Sequence, residues 1–87
     1  MQTLIVEPKV STGIGLKASI QLEVLCSGTG VKPRAIEKAI VDVEKQASVY
    51  SQYPFHRYQG LAVMQEARKV GAELKAVAQY ARSLKGV

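Results

Sequence analysis

The C-terminal third of the chain has a heptad pattern of apolar residues. These recur at alternating steps of four and three residues, at Val63, Ala67, Val70, Leu74, Val77, Ala81 and Leu84. This spacing places one apolar seam along an α-helix, so the sequence predicts a long helix over about 56–85. Such a helix is roughly 42 Å long. We therefore expect part of it to meet a sheet, a second subunit or another partner.

A second helical pattern precedes the long helix. Pro33 suits the first helical position, where its missing N–H is not needed, and an apolar face follows at Ile36, Ile40, Val43 and Ala47. Pro54 ends the pattern, because proline disfavours the helical conformation in the residue before it. The sequence predicts a helix over about 33–50, which forms an α-hairpin with the long helix.

In the two N-terminal segments, apolar and polar residues alternate instead. Residues 17–26 place apolar side chains on one face and polar ones on the other, and residues 2–10 alternate less regularly. A period of two is typical of half-buried strands, and turn-forming residues lie at 11–15 between the two segments. We predict an antiparallel β-hairpin over about 2–10 and 17–26. The predicted fold class is α+β, one domain over 1–87 with the α-hairpin packed on one sheet face.

The predicted hairpin leaves an unpaired strand edge. Two strands alone are only marginally stable in water, and an open edge is usually covered, bulged or paired with another chain. We therefore expect a homo-oligomer, most simply a dimer, formed through the strand edge or the long helix.

Composition narrows the classes of partner. The 87 residues have a hydrophobic content of 47% and a charged content of 22%, which are typical of one globular domain. The formal net charge of +5 favours an acidic partner such as nucleic acid or an anionic protein surface. The alternative is that the charge serves only solubility.

Cysteine usage and hydropathy bear on location. Cys26 is the single cysteine, so the sequence predicts neither an internal disulfide nor a cysteine-based metal cluster. A chain without disulfides fits a reducing cytoplasm, or a virion, better than secretion. No apolar run approaches the roughly 20 residues that span a bilayer, and the N-terminus lacks the pattern of a signal peptide. We expect a soluble protein without membrane contact.

The predicted long helix carries a basic stripe. Arg68, Lys75 and Arg82 repeat every seven residues, and Lys69 lies beside them. A stripe about 20 Å long would follow several phosphates, with salt-dependent and largely sequence-independent binding. The alternative interpretation is an ordinary solvated helix face.

A glycine-containing turn at 27–30 is a second candidate. It precedes the helix that begins at Pro33, and Lys32 and Arg34 flank that helix start. Backbone N–H groups at a helix N-terminus can face an anion, and the two cations would add charge. The alternative is a tight turn with a hydroxyl cap, since no complete phosphate-binding motif is present.

An aromatic and basic segment at 50–58 is the third candidate. Aromatic rings stack on unpaired bases while neighbouring cations meet phosphates, so Tyr53, His56 and Arg57 are candidates for this contact. The alternative is that the aromatic residues close the core at the end of the α-hairpin.

The segment Arg34–Ile40 follows a predicted strand and a glycine-containing turn. It locally resembles the second helix of Alba-type chromatin proteins, which are dimeric nucleic-acid binders. Those proteins continue with two strands, whereas a long helix is predicted here. The resemblance therefore implies no family membership, and no residue role is taken from it.

No catalytic constellation, cofactor motif or metal-ligand spacing appears in the sequence. His56 is the single histidine and has no nucleophile or carboxylate pattern beside it. We predict a binding protein without enzyme activity, cofactor or metal.

The leading hypothesis is a regulatory or accessory nucleic-acid-binding protein that uses the basic helix. The alternative hypothesis is an assembly or inhibitor protein, of viral or mobile-element type, that recognises another protein through the long helix and the strand edge.

Overall fold

Three helices make up most of the chain that the structure describes. The structure is a computed structural model, and it describes residues 7–52 and 60–85. Helix α1 spans Gly13–Ser27, α2 spans Pro33–Ser51 and α3 spans Leu61–Lys85. No strand occurs among these residues. The prediction of an α+β fold with a β-hairpin is therefore wrong, because the described chain is helical.

Residues 17–26, predicted as a strand, lie inside α1. Thr12 begins this helix, since its hydroxyl oxygen accepts a hydrogen bond from the Gly15 N–H at 3.0 Å, the usual capping arrangement. Of the other predicted strand, residues 7–10 have no regular structure and residues 2–6 lie outside the described residues. The strand edge through which a dimer was expected is therefore absent from the described chain.

The alternating pattern was misleading because it also has a helical interpretation. In a helix, residues four apart share a face, whereas residues two apart lie on opposite sides. Ala18 and Leu22 face the core, with 7% and 3% exposed, while Leu16, Ile20 and Val24 form an exposed row on the opposite side. The apolar residues of α1 are thus divided between two sides, which in sequence resembles a strand.

The two later helices occupy the positions that their periodicity predicts. α2 begins at Pro33 and buries Ile40, Val43 and Ala47. α3 begins at Leu61, and the predicted start near residue 56 lies in segment 53–59, outside the described residues. The heptad seam of α3 is confirmed from its second to its sixth member, and its seventh member, Leu84, is half-buried. Its buried members are Ala67, Val70, Leu74, Val77 and Ala81.

Helix α3 packs against both other helices and forms the centre of the core. Helices α1 and α2 contact each other less than either contacts α3. The seam of α3 is therefore covered by the chain itself rather than by a second subunit.

Gly71 permits the close approach of α3 to the end of α2. A Cβ at Gly71 would lie 2.7 Å from Ser51 Oγ and 3.1 Å from the carbonyl oxygen of Ala47. Ser51 Oγ donates a hydrogen bond to that same carbonyl at 2.7 Å. Glycine therefore fits this contact between α3 and the end of α2, where a side chain would displace Ser51.

The substitution Leu74→Ala tests this core. Leu74 is 0% exposed, so its truncation leaves a cavity and lowers the free energy of unfolding by about 2–5 kcal/mol. Leu61→Ala, on the same helix but 68% exposed, is the matched control and changes that free energy by less than about 0.5 kcal/mol. Urea unfolding followed by far-UV circular dichroism measures both. Equal effects of the two substitutions would contradict the assigned core.

Candidate nucleic-acid interface

The outer face of α3 carries three exposed cations, Arg68, Lys69 and Lys75. At about 100° of rotation per residue, the other residues of this face are neutral: Gln65, Ala72, Gln79 and Ser83. The acidic residues of α3 lie on the side toward α1, where Glu66 lines a groove with Lys17 and Glu73 bonds to the start of α1. The outer face is therefore cationic and has no acidic residue within it.

Glu73 fixes how α3 is placed against α1. It is 8% exposed, and its two carboxylate oxygens accept four hydrogen bonds. The donors are the N–H and hydroxyl of Ser11, at 3.2 and 3.0 Å, and the N–H and hydroxyl of Thr12, at 3.0 and 2.7 Å. Gly15 is required beside this carboxylate, because a Cβ there would lie 2.5 Å from Glu73 Oε1.

The hydrogen bonds keep Glu73 ionised. Burial raises the pKa of the Glu73 carboxyl, but the hydrogen bonds from Thr12 and Ser11 together outweigh that effect. The pKa therefore lies below its ordinary value of 4.5. Glu73 is an internal anion at the N-terminus of α1, where negative charge is stabilising, and its charge does not belong to the outer face of α3.

Arg82, the third member of the predicted heptad stripe, forms ion pairs with α2. Its Nη2 lies 2.6 Å from Glu44 Oε1, and its Nη1 lies 3.1 Å from Glu37 Oε1. The hydrogen bonds that Arg82 donates to Glu44 and, second in effect, to Glu37 raise the pKa of Arg82, and the donation to Glu44 lowers the pKa of that carboxyl. A phosphate at Arg82 would have to displace a carboxylate. The structure thus separates Arg82 from Arg68 and Lys75.

Lys32 and Arg34 lie at the start of α2, toward the end of the bundle where Pro33 approaches Leu84 of α3. Arg68 lies about 24 Å from Leu84 along α3. Lys32 and Arg34 therefore do not form one site with Arg68. The first turn of α2 contains no acidic residue, and Lys32 makes no side-chain cap hydrogen bond. In the preceding turn, Gly30 has a φ of 78°, a conformation that favours glycine.

Two exposed cations of α2, Lys38 and Lys45, were not predicted as site residues. A signal for them exists, because the pairs Glu37-Lys38 and Glu44-Lys45 are seven residues apart. Each glutamate of these pairs forms an ion pair with Arg82. The lysine that follows each glutamate lies about 100° further around the helix. Together with Arg34, the lysines form an outward row on α2.

Lys9 is a further exposed cation that was not among the predicted site residues. Residues 7–12 run beside α3, where Val10 packs against the core and Tyr80 OH donates a hydrogen bond to Glu7 Oε1 at 3.5 Å. Lys9 lies in this segment, next to Ala76 and Gln79 of α3. Because residues 2–10 were predicted as a strand, their position along α3 was not foreseen.

The candidate stacking residues Tyr53 and His56, and the cation Arg57, lie outside the described residues, so their proposed contacts stay predictions. Their neighbour Tyr50 is half-buried and packs against the core. It lines an apolar groove with Ile14 and Val63.

Among the described residues, no group of His, Cys, Asp or Glu side chains is placed to hold a metal ion. None of the three described helices is long and apolar enough to cross a membrane. In comparisons with known proteins, no family model, no curated protein and no solved structure matches the chain.

The substitution Glu73→Gln tests the internal carboxylate. An amide cannot accept all four hydrogen bonds, so the free energy of unfolding at about pH 7 falls by about 1–3 kcal/mol. Because the folded-state pKa of Glu73 is lowered, its contribution is present above the ordinary value of 4.5 and is lost as the pH falls through the folded-state pKa. Glu73→Gln therefore loses less stability than the wild type between about pH 7 and about pH 3.

Urea unfolding at the two pH values measures this difference. Glu66→Gln is the matched control, because Glu66 is exposed on the same helix, and it should behave as the wild type does. A Glu73→Gln variant with wild-type stability at neutral pH would contradict the assigned hydrogen bonds.

Proposed function

We propose that the protein is a non-enzymatic nucleic-acid-binding protein whose α3 outer face contacts phosphates. One observation carries this proposal: Arg68, Lys69 and Lys75 are exposed together on a face without acidic residues. No ion pair joins any of the three to an acidic residue of the described chain. Their charges are therefore available to an anionic partner.

The placement of the acidic residues supports the same proposal. The chain has seven acidic residues against twelve basic ones. Glu73 is buried against α1, and Glu37 and Glu44 are directed to Arg82. These three negative charges face partners within the chain, so the positive excess is concentrated on the remaining surface, where it attracts polyanions.

The expected mode of binding is contact with the phosphate backbone. Arg68 and Lys75 are about 10 Å apart along α3, a distance that covers several phosphates of one strand. Such contacts position a protein on nucleic acid without reading bases, which suits a regulatory or accessory protein. Because a single cysteine fits a reducing compartment, we place this function in the cytoplasm or a virion.

A matched pair of substitutions, Lys75→Gln and Arg82→Gln, tests the proposal. Each removes one positive charge from α3, but Lys75 is exposed and Arg82 is paired with two carboxylates. For binding to a short DNA duplex, the slope of log affinity against log salt should fall by about 0.9 for Lys75→Gln. It should be unchanged for Arg82→Gln.

Fluorescence anisotropy between about 50 and 200 mM salt measures these slopes, and thermal unfolding confirms that both variants are folded. Absence of binding by the wild type at about 50 mM salt would contradict the proposal. An equal loss of slope in the two variants would contradict the assigned contact face.

Recognition of a protein is the second candidate, and a different observation favours it. The strand edge predicted for this role is absent from the described chain, and the α3 seam is covered by α1 and α2. Helix α1, however, exposes Leu16 and Ile20 at 52% and Val24 at 64%. This apolar row is about 12 Å long and suits packing against a second copy of the chain, in keeping with the expected homo-oligomer.

Sedimentation equilibrium tests this second candidate. The wild type should have the mass of a dimer at micromolar concentration, and the triple substitution Leu16→Gln, Ile20→Gln and Val24→Gln should give a monomer, because the apolar contact is lost. The pair Val49→Gln and Leu61→Gln changes exposed apolar residues on the other helices and should leave the dimer intact. A monomeric wild type would contradict self-association through α1.

A further inference from the structure

Helix α1 is apolar on two sides, but the fold covers only one of them. Ala18 and Leu22 are buried in the core, whereas Leu16, Ile20 and Val24 form the exposed row on the opposite side, at 52%, 52% and 64% exposure. A helix that is apolar all round is ordinarily covered all round. The exposed row therefore indicates a partner that packs along α1.

The two charged residues of α1 flank this row. Helix α1 contains one lysine, Lys17, and one glutamate, Glu23, and both are exposed. At about 100° of rotation per residue, Lys17 lies about 60° to one side of the row and Glu23 about 60° to the other side. No ion pair joins either of them to another residue of the described chain. Both charges are therefore available to a partner on the row.

This surface suits a second copy of the chain better than a nucleic acid. The charges of Lys17 and Glu23 cancel, so the surface attracts a polyanion less than the basic face of α3 does, and it repels another cationic chain less. A two-fold interface uses the same surface on both subunits, so that surface must be complementary to itself. An apolar row with opposite charges on its two sides meets this requirement.

The flanking charges determine which orientation of two α1 helices is favourable. In parallel pairing about a two-fold axis, opposite sides of the row come together, so Lys17 lies beside Glu23 of the partner subunit. In antiparallel pairing about Ile20, like sides come together, so the two lysines share one side and the two glutamates share the other. The offset along the helix axes is about 9 Å in both cases. Because flanking ion pairs set the orientation of paired helices, the charges favour parallel pairing.

We propose that the protein forms a parallel two-fold dimer. The apolar rows of the two α1 helices pack together, and Lys17 pairs with Glu23 of the partner subunit. This inference rests on the second candidate function, self-association through α1, and it specifies the geometry of that contact. It is independent of the phosphate contacts proposed for α3.

Charge reversal tests the ion pairs. In Lys17→Glu or Glu23→Lys alone, like charges lie beside each other at both contacts, so the Kd of the dimer should rise about tenfold. The double variant Lys17→Glu with Glu23→Lys restores opposite charges, and its Kd should return to within about threefold of the wild type. Lys45→Glu, an exposed reversal on α2, is the matched control for net charge and should leave the Kd unchanged. Sedimentation over a series of concentrations measures these constants.

Crosslinking tests the orientation. Gly13 and Ser27 lie at the two ends of the row, within about 20° of its line, and a Cβ at Gly13 would have no side chain within 4 Å. Gly13→Cys and Ser27→Cys, each combined with Cys26→Ser, give chains with one cysteine at either end. In a parallel dimer each variant alone should crosslink with a short bifunctional maleimide, because equivalent residues lie side by side. In an antiparallel dimer equivalent residues are about 21 Å apart along the axes, and only a mixture of the two variants crosslinks.

The outcomes separate this inference from the candidate function on which it rests. Weakening by each single reversal, recovery in the double variant and crosslinking of each cysteine variant alone support the parallel dimer. A dimer that is insensitive to the single reversals, or that crosslinks only in the mixture, would overturn the inference and leave self-association through α1 standing. A monomeric wild type would overturn both. Circular dichroism establishes that the variants are folded.

Discussion

The arrangement of the helices depends on one buried carboxylate. Glu73 on α3 accepts hydrogen bonds from the N–H and hydroxyl groups of Ser11 and Thr12, and Thr12 in turn caps α1. An ionised carboxylate is costly to bury unless its oxygens are paired, so the start of α1 is held at this point of α3. The apolar contacts of Ala18 and Leu22 with the core then follow from the position of the first turn.

A second, more exposed set of ionic contacts orients α2. The side chains of Arg82, Glu37 and Glu44 are each about 40% exposed, so their ion pairs contribute modestly to stability. Their geometry is nevertheless specific, because a guanidinium bonds to two carboxylates in fixed directions. The ion pairs and the buried face of α2 together direct Lys38 and Lys45 away from the core. A contact within the fold thereby determines which charges a partner meets.

The candidate site was predictable only where it depends on helical periodicity. Arg68, Lys69 and Lys75 were found because their spacing along one helix places them on one face, and the structure shows them exposed there. Arg82 has the same spacing, but the acidic residues that engage it are 38 and 45 positions away in the chain. Lys9 was missed because the segment that contains it was predicted as a strand. Segment 53–59 lies outside the described residues and adds nothing to this comparison.

Helices α2 and α3 and the apolar seam of α3 are predictable from local sequence, because helix starts and apolar periodicity depend on residues within a few turns of each other. The helical state of residues 13–27 and the contact of Arg82 with α2 depend instead on packing between distant parts of the chain. The alternating pattern of α1 is compatible with a strand and also with a helix that has apolar residues on two opposite sides. The interaction that distinguishes them joins Thr12 to Glu73, 61 positions away. A contact over that separation leaves no local pattern in the sequence, so it is visible only once the helices are packed together.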